Sequence, residues 1–567
     1  MLSQSHILLP ALLYAETHFR FFRFFPSLIY KKEPEIIFDL PRRLEPGYDL
    51  PVILIINDID RFPVECISVD ITISGPSKKT QLFQFQNIKK YIITHPFPSQ
   101  SVIYLFTIPR NKLADGNNFI NCTATIKKQK KNIKILNDNL FGSSKLSFSC
   151  FLADCSLPGH NFASYGDLHV HSQYSQSHVE FGAPVSVIDL FSKSYGIDFV
   201  AITDHSYDLA CSMENYLKPD DQLKRWVSIS EEISNPAELD KSLYAGIIYA
   251  NRVDNSATVT KNIKNTLVLG EEISCLNSKR KAVHLCGIGL KNFFYGTLDG
   301  ARKNNKMKNQ LTIESSIAQI HDQQGVAFAA HPGSKAKWLQ QVFLNRGTWK
   351  TCDISLKLDG VQAINNGFDK SWDSAKKLWI KELLKGHKLS LAAGNDSHGD
   401  FNRYRYLAIP FISIKELFNR YFGNSITGIY SKISSQHDVV KGLKDGKTFV
   451  TTGPFLNISF SSKPCESIIS NKEIDISNAT ISISLISTCE FGYPFSVVLY
   501  CGDYQKQKET KIFRKVFNDK NLSVSEEIPT ANFPEHGYLR AEAKCKNNDK
   551  LNYSATSPCY FSCNKIT

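Results

Sequence analysis

With 567 residues the chain is too long for one ordinary domain, and two to four are expected. Apolar residues make up 42% and charged residues 21%, which excludes a disordered chain, and 37 Phe with 23 Tyr supply substantial cores. The formal net charge of +13 is spread widely and reads first as a lysine-rich solvated surface, one that would also draw in an anionic substrate.

The apolar run Ile7 to Ala15 follows no Lys or Arg, and Glu16, Arg20 and Arg23 interrupt what comes after. A packed helix or strand is favoured over a signal peptide, and a cytoplasmic location over a secreted or periplasmic one. No other stretch offers the ~20 uninterrupted apolar residues of a spanning helix, so no membrane partner is expected.

From about 34 to 155 the chain reads as short strands: Ile36 to Phe38, Val52 to Ile56, Val69 to Ile73, Tyr91 to Ile93 and Val102 to Phe106. Pro, Gly, Asn and Asp punctuate them, and the spacing predicts a β-sandwich. The basic cluster Lys127, Lys128, Lys130 and Lys131 reads as a strand end or loop within it. Near residue 160 the pattern changes to apolar runs alternating with helical patterns, which points to βα units around a parallel sheet or barrel. Ala183 to Tyr195, Glu314 to Gln324 and Ser374 to Lys385 are predicted helices, each stopped by a glycine and followed by a strand. A last helix, Asp438 to Lys444, precedes Thr451-Thr452-Gly453-Pro454, after which short strands return. The expected domains are therefore 1–158, a β-sandwich-like unit; 159–452, the barrel; and 453–567, a second, smaller β-sandwich-like unit. None of the 14 cysteines forms a CxxC pair; most read as free buried thiols, while Cys150 with Cys155 and Cys559 with Cys563 would pair in an oxidising compartment.

Metal-ligating residues cluster where strands of the middle region end. His169 and His171 are one residue apart, so an extended segment aims both imidazoles to one side. Asp204-His205, Glu271-Glu272, His284, His331 and Asp396-Ser397-His398 lie in or just after other apolar runs. In α/β barrels the loops after the strands share one face, so these residues are expected to converge. Imidazole and carboxylate suit zinc, manganese or iron. Two or three such ions would lower the pKa of a trapped water and clamp a phosphoryl or acyl oxygen, which predicts hydrolysis. No P-loop, dinucleotide fingerprint or Gly-x-Ser-x-Gly elbow competes.

Asp167-x-His169-x-His171, Thr203-Asp204-His205, Gly270-x-Glu272, His331-Pro332 and Gly394-x-Asp396-x-His398, in this order, resemble the PHP (polymerase and histidinol phosphatase) superfamily. Gly394 to Asn402 and Thr451 to Pro454 look most like its CehA/McbA-like hydrolase branch. The resemblance covers about residues 160–430 and implies a distorted (β/α)7 barrel with two or three divalent ions. It implies that His169, His171 and Asp396 hold one ion, that Glu272 bridges it to a second completed by His284 and His331, and that His205 and His398 help hold a third. Asp204 would orient a ligand or handle a proton beside Glu272, and Arg403 and Arg405 would reach an anionic leaving group. Gln176 and His178 depart from the family pattern, which leaves the ion count at two or three.

The expected activity is a phosphoesterase acting on a small molecule. A carboxylic ester or amide hydrolase is the alternative, and a nuclease ranks lower because no basic groove interleaved with aromatics is visible. A metal-stabilised scaffold is the non-enzymatic alternative. Oligomeric state is open.

Overall fold

A computed structural model describes residues 34–563 except 58, 61, 77, 87, 89–101, 140–146, 176–181, 214–217, 237–246, 250–264, 297–310, 337–340, 343–344, 366, 400, 404–405, 410–411, 416–420, 478, 531–532 and 549. The run 7–15, the expected strand 91–93, Gln176, His178 and Arg405 lie outside the described residues.

The architecture is mainly β, built on a nearly closed, barrel-like sheet. Seven strands stand side by side in chain order: β1 (Ser164–Val170), β2 (Phe199–His205), β3 (Thr266–Leu276), β4 (Ala282–Ile288), β5 (Val326–Ala329), β6 (Gly360–Ile364) and β7 (Ser390–Ala393). β1 to β3 are parallel, as are β5 to β7, while β4 runs antiparallel to both of its neighbours. The expected alternation of strand and helix is broken there. An antiparallel pair needs only a short turn, and Asn277 to Lys281 provides it in place of a helix. The helices that do pack on the strands are α1 (Val185–Tyr195), α2 (Lys224–Ser234), α3 (Ile313–Asp322) and α4 (Lys370–Leu384), with α5 (Gln436–Lys444) following β7. Their starts differ by up to four residues from the sequence expectation because caps set them. Pro184 is the cap of α1 rather than part of its first turn, Thr312 and Ser315 form a capping box on α3, and the Asp369 carboxylate accepts from Ser371 N and Trp372 N on α4.

The ring closes between β7 and β1. Asp396 N donates to His169 O at 2.7 Å and His171 N to Ser397 O at 2.9 Å. Gly394 makes this approach possible, since a Cβ there would sit 2.6 Å from His169 Cβ. Inside the ring, alternate residues of each strand meet. Phe199 and Ala201, Val268, Cys286 and Ile288, Val326 and Phe328, and Ala392 form one buried cluster, which Val439 and Leu443 of α5 complete at the end where β1 to β3 begin. The opposite end carries the polar residues.

The N-terminal part is two sheets over a shared core: one of four strands including Leu50–Asn57 and Val102–Ile108, and one of six including Glu65–Gly75 and Gly116–Lys128. The basic cluster lies at the hairpin joining Gly116–Lys128 to Lys131–Leu136. The boundary at 158 is crossed, because Ile247–Tyr249, from between β2 and β3, pairs parallel with Val102–Ile108. The boundary at 452 is crossed as well. The barrel sheet continues from β1 through Ile426–Ile429 and Thr448–Thr451 to Lys550–Thr556, His536–Asn547, Tyr493–Asp503 and Lys508–Val516. A four-stranded sheet led by Phe455–Phe460 faces this extension across a second apolar core. Cys150, Cys155, Cys559 and Cys563 are free. Among the described residues, no helix is long and apolar enough to cross a membrane.

Candidate metal centre

The same alternation that packs the barrel core aims the polar side chains above it. Along β2 the inward row Phe199, Ala201 and Thr203 ends in His205; along β3 Val268 and Gly270 lead to Glu272; along β4 Ile288 and Cys286 lead back to His284. β1 is irregular: its register against β2 shifts between Asp167 and Val170, so Leu168 packs in the core while His169 and His171 turn to the centre. His331 and Asp396 follow β5 and β7, and both hold left-handed backbone, at φ of 32° and 52°. That conformation is costly for a non-glycine residue and collects at functional sites.

Six imidazoles and two carboxylates meet here in three overlapping groups: His171 with His205 and His398; His169 with His171, Glu272 and Asp396; and Glu272 with His284 and His331. Within each group the ligand atoms all lie within 4.8 Å of one another. His169 Nε2 is 3.2 Å from His171 Nε2, which is 3.1 Å from Asp396 Oδ1. Glu272 Oε1 is 3.6 Å from His169 Nε2 and 3.0 Å from His331 Nε2, and also contacts His284 Nδ1. Glu272 Oε2 is 2.6 Å from His205 Nδ1 and 3.6 Å from His171 Nε2. A tetrahedral cation with ligands at about 2.0–2.1 Å sets its donor atoms roughly 3.3 Å apart, so the spacing suits shared divalent ions.

Burial and neighbouring charge set the electrostatics. Burial pushes the Glu272 carboxyl upward, but the imidazoles of His284, His169 and His205 outweigh it and hold it well below the usual carboxylate range. Burial, with His205 alongside, lowers His171 to about 3, and burial lowers His331. Neutral imidazole is the form that ligates metal. Glu271 points the other way: Phe294 N donates to it at 3.0 Å, and burial raises its carboxyl well above the ordinary value. The strand period therefore separates two adjacent glutamates, with Glu272 facing the centre.

Further residues hold these groups. Asp204 is not among the three ligand groups, and its carboxylate is taken up by Ser172. Ser172 N donates to its Oδ1 at 2.7 Å and Ser172 Oγ to its Oδ2 at 2.6 Å. Ser175 Oγ lies 3.2 Å from His171 Nδ1 and accepts from His205 N at 3.0 Å. Asp167 accepts from Asn395 Nδ2 at 2.6 Å, tying the segment after β7 to β1. Gln362 Oε1 lies 2.9 Å from His169 Nδ1. Arg403, expected to meet an anionic leaving group, has partners within the chain. Its Nε donates to Asp39 Oδ2 at 3.3 Å and its Nη2 to Gly399 O at 2.9 Å, so the guanidinium fastens the barrel to the N-terminal part. Sequence reading missed Ser172, Ser175 and Gln362. Gln362 did leave a signal, being a polar residue inside the otherwise apolar strand Gly360–Ile364.

No known family's sequence profile matches the chain, and no curated protein matches it. Among solved structures, the chain is 10% identical to a Bacteroides uniformis β-glucuronidase, covering 93% of this chain and 61% of that one at a TM-score of 0.17. A Parabacteroides merdae β-glucuronidase with glycerol in its active site gives 9% identity, coverage of 94% and 64%, and a TM-score of 0.19. A glycosyl hydrolase family 2 member from Bacteroides cellulosilyticus gives 10%, coverage of 93% and 63%, and a TM-score of 0.15. The chain thus spans under two thirds of the length of each of these three. TM-scores this far below 0.5 carry no information on fold or activity.

Proposed function

We propose that the chain is a metal-dependent hydrolase of the PHP type, in the manner of the CehA/McbA branch, and that it acts on small phosphoesters. One observation carries the reading: eight ligand side chains from six separate stretches of sequence bring their donor atoms together at one end of a barrel-like sheet. With every imidazole in the neutral form that ligation requires, Glu272 and Asp396 would give the cluster a charge of −2, and such a set of buried acceptors would call for cations. The antiparallel β4 fits the distortion implied by the resemblance.

His169, His171 and Asp396 would hold one ion, Glu272 would be shared with a second held by His284 and His331, and His205 and His398 would join His171 at a third. When bound, such ions supply a water of lowered pKa and positive charge beside a developing oxyanion. The protein's own part is to fix the ligands. Asp204 and Ser175 hold the backbone at Ser172 and His205, and Asp167 holds the segment bearing Asp396 and His398 in register with β1. The +13 charge favours an anionic substrate.

Carboxylic ester or amide hydrolysis is the second reading. It is favoured by Arg403, whose engagement with Asp39 removes one cation expected beside a phosphate. The test is turnover of phosphomonoesters, phosphodiesters and aryl esters by protein loaded with Zn2+, Mn2+ or Fe2+. Phosphomonoester turnover is expected. Ester turnover alone would move the assignment to the second reading, and bound metal without turnover on any substrate would leave a scaffold.

A further inference from the structure

Behind the ligands, two neutral side chains form a directed relay between members of the same metal group. Gln362 Nε2 donates to Asn365 Oδ1 at 2.9 Å and to Gly394 O at 3.2 Å, while Gln362 Oε1 faces His169 Nδ1 at 2.9 Å. Asn365 Nδ2 donates to Asp396 Oδ2 at 3.3 Å. Both side chains are buried, at 2% and 5% exposure. An irregularity in the pairing of β6 with β7, between Gln362 and Ile364, brings Asn365 around to the centre.

Donor and acceptor rules fix the direction of every bond in this chain. The Gly394 carbonyl and the Asp396 carboxylate can only accept. Asn365 must therefore turn its NH2 to Asp396, leaving its oxygen for Gln362. Gln362 must turn its NH2 to Asn365 and Gly394, leaving its own oxygen for His169. An amide oxygen can only accept, so His169 carries a hydrogen on Nδ1. Its Nε2, the atom among His171, Glu272 and Asp396, is then the nitrogen directed at the ion. Cys286 Sγ, 3.6 Å from the same Nδ1, is a weak partner that does not alter this order.

We infer that Gln362 and Asn365 are positioning residues that set the tautomer of His169 and the rotation of Asp396 together, so that one relay prepares two ligands of one ion. The inference rests on the metal-dependent reading above. Orienting partners of this kind are typically worth about 10–100-fold in metal affinity.

The test is titration of the metal-stripped full chain with Co2+, read by the visible absorption of the bound ion, with Zn2+ content measured in parallel after dialysis. Gln362→Met should weaken one ion about 10–100-fold and shift its Co2+ bands, leaving the remaining ions at wild-type affinity. Gln362→Glu keeps an oxygen opposite His169 Nδ1 but sets a second acceptor against Asn365 Oδ1 and Gly394 O, so it should weaken the same ion as well. Asn365→Ser should weaken the same ion, and it serves where Gln362→Met does not fold. Wild-type affinity and spectrum in Gln362→Met and Asn365→Ser would overturn the relay while leaving the metal centre standing. Failure of the wild-type chain to bind any divalent ion would instead sink the metal centre itself.

Discussion

Two buried polar clusters in this protein are built on opposite principles. Where α4 meets the C-terminal sheet, Arg540 donates to Glu509 through Nε at 2.8 Å and Nη2 at 2.7 Å, and to Glu542 through Nη1 at 2.5 Å. Lys376 donates to Glu542 at 3.1 Å and Tyr538 to Glu509 at 2.8 Å. Two cations face two anions, every strong acceptor has a donor, and the cluster is complete as it stands. At the barrel mouth, imidazole nitrogens and carboxylate oxygens converge. The barrel-mouth groups are the more deeply buried, with His169 and His171 at 0% exposure against 22% for Lys376 and Glu542. The first cluster ties α4 to the C-terminal sheet, whereas the second gathers the side-chain types that could hold a metal ion.

The sharpest way to break this contrast is Asp396→Ala. It should lower turnover by about 10^3-fold, ~4 kcal/mol of barrel-mouth function, and reduce metal content measured by mass spectrometry, while the Tm of the metal-free protein changes little. Arg540→Ala should do the reverse. Glu509 keeps Tyr538 and Glu542 keeps Lys376, so the loss should cost about 2–3 kcal/mol in denaturant unfolding, with metal content per folded chain unchanged. Arg403→Met separates the two classes at one residue. Loss of its bonds to Asp39 and Gly399 should cost about 1–3 kcal/mol of stability and leave KM for an anionic substrate unaltered; a large rise in KM would return Arg403 to the substrate. The smallest effect belongs to the half-exposed pair His321–Asp359, at 2.8 Å. The hydrogen bond to Asp359 raises the His321 pKa, so the stabilisation is full below the ordinary imidazole value and fades as pH rises through the raised one. His321→Gln should therefore lower stability by at most about 1 kcal/mol at pH 5.5, and by less at pH 9, in paired thermal melts.

Sequence carried the site further than it carried the architecture. The candidate ligands were legible because each lies in or just after a short apolar run, and the Gly270-x-Glu272 spacing of the resemblance, not the strand period, singled out Glu272 over Glu271. Helix stops at Gly196 and Gly386 were legible for the same local reason, while the starts moved with caps such as Asp369. What stayed hidden depends on partners distant in sequence. Nothing near Arg403 announces Asp39, 364 residues away, and nothing near Gln362 announces His169. The antiparallel β4 was hidden as well, because an apolar run reads alike in either direction. So was the run of the barrel sheet into the C-terminal part, which is a matter of which edges meet.

That shared sheet bears on how the chain is made. Thr448–Thr451 pairs with Lys550–Thr556, so a ribosome-bound chain that has already delivered every candidate ligand still displays one unsatisfied strand edge. At about 5–20 residues per second the missing partner, roughly a hundred residues later, arrives some 5–20 s afterwards. In that interval the nascent barrel carries a sticky border that other chains can extend. Thermal or chemical loss of the C-terminal sheet in the finished protein would reopen the same border, so aggregation is the natural companion of its unfolding.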